Sequence, residues 1–139
     1  MSAALQLAPE PLISIRVLLI EDNEKNLKLA RDLLQYHGFH TLEARDAETG
    51  LQIASESTPD IILMDIELPG MDGITALEHL RADPATAGIT VVAVTASVMP
   101  ADTERFAQAG FAGVILKPIE VKAFPHQVLS YCDRHGEAG

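Results

Sequence analysis

Short apolar runs alternate with amphipathic segments along the chain. The clearest run is 61–64, where four apolar residues have the length expected of a strand buried on both faces of a sheet. Four further segments share an apolar or β-branched character and strand length, and they cover 15–20, 40–44, 90–94 and 113–116. The pattern therefore predicts five strands, with a longer segment between each strand and the next.

The segments that follow these strands have the apolar spacing of helices. Helices are predicted at 24–37, about 47–55, 74–81, 100–109 and about 121–131. Asn23 and Asp46 are suitable N-caps, Gly38 and Gly110 are suitable stops, and Pro125 should weaken the first turn of the last helix or delay its start. Because strands separated by single helices cannot pair as hairpins, right-handed crossovers predict a doubly wound α/β fold. Its five-stranded parallel sheet is covered on both faces.

Composition narrows the class of protein. The 139 residues suffice for one domain that buries about two thirds of its unfolded surface. The formal net charge of −10 argues against binding to nucleic acid or to an anionic membrane, and it favours cations or basic partner surfaces. Cys132 is the only cysteine, which excludes a disulfide framework and a thiolate metal site and fits a reducing compartment.

The first 14 residues have the character of a tail and not of a targeting signal. They lack a basic n-region, and Gln6, Pro9, Glu10 and Pro11 interrupt their apolar character. No run in the sequence approaches the roughly 20 apolar residues of a membrane span. We therefore expect a cytoplasmic protein with an N-terminal tail at 1–14, one domain at 15–132 and a C-terminal tail at 133–139.

Polar side chains with complementary chemistry stand at the carboxyl ends of four predicted strands. They are Glu21, Asp22, Asp65, Thr95 and Lys117. These strand ends share one edge of a parallel sheet, the edge at which open α/β folds bind ligands. Three carboxylates in one crevice repel one another, and a hard divalent cation, usually Mg²⁺, relieves that repulsion. With an ammonium and a hydroxyl as donors beside them, the set predicts phosphoryl transfer to Asp65 as the nucleophile.

Each of these residues also has a plain structural explanation. Acids such as Glu21 and Asp22 are favoured at the start of any helix, and threonine is common in strands. Asp65 suits the start of a turn, and most lysines are solvated surface charges. Only the joint placement of all these residues at one edge favours the functional interpretation.

The pattern resembles the receiver domain of two-component response regulators. The resemblance covers about 15–132, with every element in the family's order. It rests on separated motifs, namely the acidic pair Glu21 and Asp22, the segment DIELPGMDG that begins at Asp65, the segment VTAS that contains Thr95, and Lys117 followed by Pro118.

This resemblance implies a flavodoxin-like sheet in the order 2-1-3-4-5 with Asp65 as the phosphoacceptor. It implies Mg²⁺ as the cofactor, held by Asp22, Asp65 and the main-chain carbonyl of Glu67, with Glu21 acting through water. It also implies that Lys117 binds phosphoryl oxygens.

The resemblance assigns the same role to Thr95, and it implies a cis peptide between Lys117 and Pro118. The sequence departs from the family at Val114, where receivers usually carry a Tyr or Phe that moves on phosphorylation. Pro125 is a second departure, since the last helix is part of the family's partner-binding face. At the position of Glu67, the family tunes the lifetime of the phosphoryl group.

The implied function is that of a stand-alone signalling protein and not of an enzyme. It would accept a phosphoryl group from a sensor histidine kinase or a histidine phosphotransfer protein and act through a downstream protein target, without nucleic acid or membrane insertion. The alternatives are a phosphorylation-independent interaction module, a phosphate shuttle or sink in a phosphorelay, and a fragment of a hybrid kinase.

Enzyme chemistry has less support. A metal-dependent phosphohydrolase is disfavoured because Glu67 is a poor substitute for the usual general acid and because no substrate cap fits in this length. Ser97 has no evident base partner, which argues against a hydrolase nucleophile.

Overall fold

A computed structural model of the protein describes residues 14–97 and 99–138, and in them five strands alternate with five helices. In chain order the elements are β1 (Arg16–Ile20), α1 (Glu24–Tyr36), β2 (His40–Ala44), α2 (Ala47–Ser57), β3 (Ile61–Asp65), α3 (Gly73–Ala82), β4 (Thr90–Thr95), α4 (Pro100–Ala109), β5 (Gly113–Leu116) and α5 (Phe124–Ala138). All strand pairs are parallel, and the strand order is β2-β1-β3-β4-β5. The predicted fold class and the implied strand order are confirmed.

The central strand β3 is apolar because helices cover both faces of the sheet. Successive side chains of a strand point to opposite faces. Ile61 and Leu63 therefore join one core cluster with residues of α1 and α5, whereas Ile62 and Met64 join another with residues of α2, α3 and α4. Each of these four side chains is at most 2% exposed.

The strand register places the polar strand ends side by side. Ile20 in β1 pairs with Met64 in β3, and Asp65 pairs with Val94 in β4. Thr95 in turn pairs with Leu116, the last residue of β5. Glu21, Asp65, Thr95 and Lys117 consequently reach the same edge of the sheet, at the point where the strand order reverses between β1 and β3.

Most helix boundaries lie within one or two residues of the prediction. Helix α2 extends to Ser57, two residues beyond the predicted end. It stops there because Thr58, with φ 42°, adopts the left-handed conformation. Helix α4 begins at Pro100 and ends before Gly110, whose φ of 114° suits glycine, as predicted.

The last helix differs from the prediction at both ends. A turn at 121–123 precedes it, and Phe124 N–H donates to the Glu120 carbonyl at 2.9 Å. Pro125 thus lies in the first helical turn, where its missing N–H is tolerated, and the predicted delay of the helix start is confirmed. The helix continues to Ala138, beyond the predicted end at about 131.

The predicted N-terminal tail lies outside the described residues, except for Ser14. Among the helices of 14–97 and 99–138, none combines the length and the apolar character that crossing a membrane requires.

Helix α3 depends on a side-chain cap. Asp72 accepts a hydrogen bond from the Thr75 N–H at 2.8 Å, and this bond is the main cause of a pKa below the usual value for the Asp72 carboxyl. We expect Asp72→Ala to lower the free energy of unfolding by about 1 kcal/mol at neutral pH. Because the folded-state pKa is depressed, this contribution is present above the unfolded pKa of about 3.9 and is lost as the pH falls through the folded value.

Denaturant unfolding at pH 7 and pH 3 measures this effect. Asp72→Asn retains a capping oxygen and should lose less stability than Asp72→Ala at pH 7. An equal loss in the two variants would contradict the role of the cap.

Candidate functional site

Three acids converge at the shared edge of the sheet. Glu21 and Asp22 follow β1, Asp65 ends β3, and each offers a carboxylate oxygen within 4.8 Å of the others. Asp65 is 4% exposed and Glu21 is 9% exposed, whereas Asp22 is half-buried. The strand-end prediction therefore holds for these three residues, which the structure brings into one cluster.

The Asp65 carboxylate is fixed from two sides. Its Oδ1 accepts the main-chain N–H of Glu67 at 2.9 Å, and its Oδ2 accepts a hydrogen bond from Lys117 Nζ at 3.0 Å. The side chain of Glu67 is exposed. The main chain of Gly73 packs closely against that of Asp65 and Ile66. A Cβ at Gly73 would lie 3.1 Å from Ile66 Cα and 3.3 Å from the Asp65 carbonyl oxygen.

Lys117 is the cation of the cluster. Its Nζ lies 3.0 Å from Asp65 Oδ2 and 3.1 Å from Glu21 Oε1, and its side chain is 20% exposed. The peptide between Lys117 and Pro118 is cis, as the resemblance implies. The Lys117 N–H donates to the Thr95 carbonyl at 2.8 Å, which ties β5 to β4 at this edge.

The charges within the cluster shift two pKa values. Burial raises the pKa of the Glu21 carboxyl above its usual value, and the negative charge of Asp65 adds to this effect. The hydrogen bonds from Asn23 N–H and Lys117 oppose that rise without cancelling it. Burial acts to lower the pKa of Lys117, but the hydrogen bonds to Asp65 and Glu21 outweigh it, so this pKa is raised.

Thr95 is buried at the end of β4, with 2% of its surface exposed. Its Oγ1 accepts the main-chain N–H of Ser97 at 3.1 Å. The Ser97 hydroxyl in turn donates to Asp102 Oδ2 in the first turn of α4 at 2.6 Å. The predicted phosphoryl-binding hydroxyl is therefore connected to a helix by two consecutive hydrogen bonds.

Two features of the site were not foreseen from the sequence. Arg45, just after β2, donates from Nη2 to the main-chain carbonyl of Asp22 at 3.2 Å. The second feature is the hydrogen bond from Ser97 to Asp102, because the sequence suggests no role for Ser97 beyond that of a disfavoured nucleophile. The signal available for Arg45 was its position directly after a strand, the same criterion that selected Asp65.

The donor set fits a hard divalent cation. One ammonium against three carboxylates leaves two uncompensated negative charges when all groups are ionised. The carboxylate oxygens of Glu21, Asp22 and Asp65 are ligands that Mg²⁺ prefers. The residues present are therefore chemically suited to Mg²⁺.

Val114 stands away from the acids, on β5. It is half-buried and packs against the core cluster on the face covered by α2, α3 and α4. With Leu116, Pro118, Glu120 and Gln127 it also lines a surface groove of about 370 Å³.

Comparison with known proteins agrees with this geometry. The sequence profile of the response regulator receiver domain matches residues 17–128. The polar-differentiation response regulator DivK of Brucella anthropi is 43% identical over 115 residues, which cover 83% of this chain and 94% of that protein. DivK of Brucella abortus (strain 2308) has the same identity and coverage.

Solved structures share the fold. A CheY-like response regulator receiver domain protein from Methanospirillum hungatei JF-1 superposes with a TM-score of 0.82 at 23% identity, covering 91% of this chain and 100% of that one. The receiver domain of a sensor histidine kinase from Pseudomonas aeruginosa PAO1 has a TM-score of 0.79 at 26% identity and covers 87% of this chain and 99% of its own. Its structure holds a magnesium ion coordinated in the active site cleft. The present chain belongs to the response regulator receiver domain family.

Proposed function

We propose that this protein is a single-domain response regulator that accepts a phosphoryl group on Asp65 with the help of Mg²⁺. The observation that carries the proposal is the environment of the Asp65 carboxylate. It is 4% exposed, it is 3.0 Å from an ammonium, and it shares a cluster with two further acids. A carboxylate in that setting has a fixed orientation and a neighbouring ammonium that offsets part of the negative charge, which suits it to act as a nucleophile.

In the proposed transfer, a carboxylate oxygen of Asp65 attacks the phosphorus atom of a phosphohistidine. The P–O bond to Asp65 forms while the P–N bond breaks, and the electron pair of that bond stays on the imidazole nitrogen. In this proposal the phosphoryl oxygens, on which negative charge is spread during transfer, are bound by Lys117, which contacts Asp65, and by the hydroxyl of Thr95, which ends the neighbouring strand β4.

The resident metal would be held by Asp22, Asp65 and the Glu67 main-chain carbonyl, with Glu21 acting through water. When bound, Mg²⁺ supplies positive charge that offsets the repulsion between the carboxylates and the incoming phosphoryl group. Burial and the Lys117 ion pairs keep the Asp65 side chain in place for this chemistry, and the Glu67 N–H holds its other oxygen.

We further propose that the donor is a sensor histidine kinase or a histidine phosphotransfer protein in the cytoplasm. Output would pass through contacts with a downstream protein and not through DNA, since the net charge of −10 disfavours a polyanion. The similarity to DivK, a response regulator by name, supports a regulatory role.

The test is intact-mass measurement after incubation with acetyl phosphate. We expect a gain of about 80 Da, one phosphoryl group, with Mg²⁺ present and none in excess chelator. Borohydride reduction of the aspartyl phosphate, followed by peptide mapping, should place the modification at Asp65. Labelling that is unaffected by the chelator, or that maps to another residue, would overturn the assignment.

Val114 favours one alternative, a receiver-fold interaction module whose partner binding ignores phosphorylation. A half-buried valine packed against the core has no ring to move between exposed and buried positions. Partner affinity measured for the unmodified and the beryllofluoride-bound protein separates the two functions. Equal affinities in the two forms would favour the module.

A further inference from the structure

The side chain of Ser97, which follows β4, makes two hydrogen bonds to the start of α4. The Ser97 hydroxyl accepts the main-chain N–H of Met99 at 3.3 Å and donates to Asp102 Oδ2 at 2.6 Å. The second bond has the length of a charge-assisted O–H to carboxylate hydrogen bond, which is about twice as strong as a bond between neutral groups. Ser97 and Asp102 are both half-buried, so water competes for this bond less than it would at an open surface.

The Ser97 side chain takes the place of an N-cap side chain for α4. Met99, the N-cap residue of α4, makes no side-chain capping bond, and Pro100 follows it as the first helical residue. The hydroxyl of Ser97 binds both the Met99 N–H and the Asp102 carboxylate in the first helical turn. The start of α4 is therefore anchored to Ser97.

The main chain of the same residue acts on the site. The Ser97 N–H donates to Thr95 Oγ1 at 3.1 Å. A hydroxyl that accepts one hydrogen bond retains its own O–H for donation, and the accepted bond restricts the direction in which that O–H points. The orientation of the buried Thr95 hydroxyl thus depends on where Ser97 is held, and Ser97 is held by Asp102.

We propose that Asp102 is a positioning residue for phosphoryl transfer, which acts through Ser97 to orient the Thr95 hydroxyl toward the phosphoryl group on Asp65. The inference rests on the proposed function, because it assigns Thr95 a ligand in the phosphorylated state. Asp102 contacts Ser97 and is not a member of the carboxylate cluster of Glu21, Asp22 and Asp65. Its effect is confined to the geometry of one donor.

The experiment measures the rate of labelling by acetyl phosphate in saturating Mg²⁺ for the natural protein, Asp102→Ala, Ser97→Ala and the double variant. Each single variant should label about fivefold more slowly, which corresponds to about 1 kcal/mol, the typical net value of one hydrogen bond. The double variant should be no slower than either single variant, because both substitutions break the same connection. Mg²⁺ affinity should not change.

Two conservative variants distinguish positioning from general support of the helix. Asp102→Asn keeps an acceptor oxygen and Ser97→Thr keeps the hydroxyl, so both should recover most of the natural rate. Glu104→Ala is the matched control, since it removes a neighbouring exposed acid of α4 and leaves Ser97 alone. It should label at the natural rate.

The inference is overturned if Asp102→Ala labels as fast as Glu104→Ala, if the two single effects add in the double variant, or if Asp102→Asn is as slow as Asp102→Ala. Failure of the natural protein to label at all would overturn the proposed function and this inference with it. Labelling of the natural protein without any effect of Asp102→Ala would overturn the inference alone.

Discussion

Asp65→Asn is expected to abolish phosphorylation completely while the protein remains folded. The substitution keeps the volume of a side chain that is 4% exposed, and the amide retains an oxygen that can accept the Glu67 N–H or the Lys117 ammonium. It removes the only group proposed to form a bond to phosphorus. Intact-mass measurement with acetyl phosphate and Mg²⁺ should show no gain, and circular dichroism should show a natural helix content.

Asp72→Asn is the matched control for this variant. It makes the same chemical change at the next aspartate along the chain, where asparagine remains a good N-cap for α3. The control should gain about 80 Da at the natural rate. If Asp65→Asn retained full labelling, the phosphoacceptor would lie elsewhere in the chain.

Lys117→Ala is expected to produce the second large effect, on stability and on signalling. Removing the ammonium leaves the buried Asp65 and Glu21 carboxylates without their counter-charge. Loss of one partner from a buried ion pair costs about 3–5 kcal/mol, and the 20% exposure of Lys117 places the expected loss near the lower value. Thermal unfolding in chelator should reveal it.

Magnesium should reverse part of that loss. Lys117 is not proposed to ligate the metal, so its removal leaves the oxygen ligands in place and removes a competing cation. We therefore expect Mg²⁺ to raise the unfolding temperature more in Lys117→Ala than in the natural protein. Lys122→Ala, which removes an exposed lysine of the following turn, should behave as the natural protein does.

Lys117→Ala should also remove the effect of phosphorylation on partner binding. Without the ammonium proposed to bind phosphoryl oxygens, beryllofluoride or phosphorylation should no longer change the affinity for a partner protein. If the affinity shift persisted at its natural size in Lys117→Ala, the proposed role of Lys117 would be wrong.

Much of the fold could be predicted because its signals are local. The continuous apolar run that ends at Asp65 indicated a strand covered on both faces, and the two core clusters show why every position of that run is apolar. The predicted caps at Asn23 and Asp46 and the predicted stop at Gly110 set helix ends by hydrogen bonds between near neighbours. Such signals can be recognised without knowing how the rest of the chain folds.

The sequence by itself therefore determined the alternation of strands and helices and the polar residues at the ends of four strands. Only the tertiary structure decided which atoms meet. Lys117 Nζ reaches Asp65, 52 positions away, because β3, β4 and β5 pair in one register. Two contacts leave no periodic pattern in the sequence. They are the connection from Thr95 through Ser97 to Asp102 and the hydrogen bond from Arg45 to the Asp22 carbonyl. They depend on the path of single loops. That path is set by the packing of the whole domain and not by local propensity.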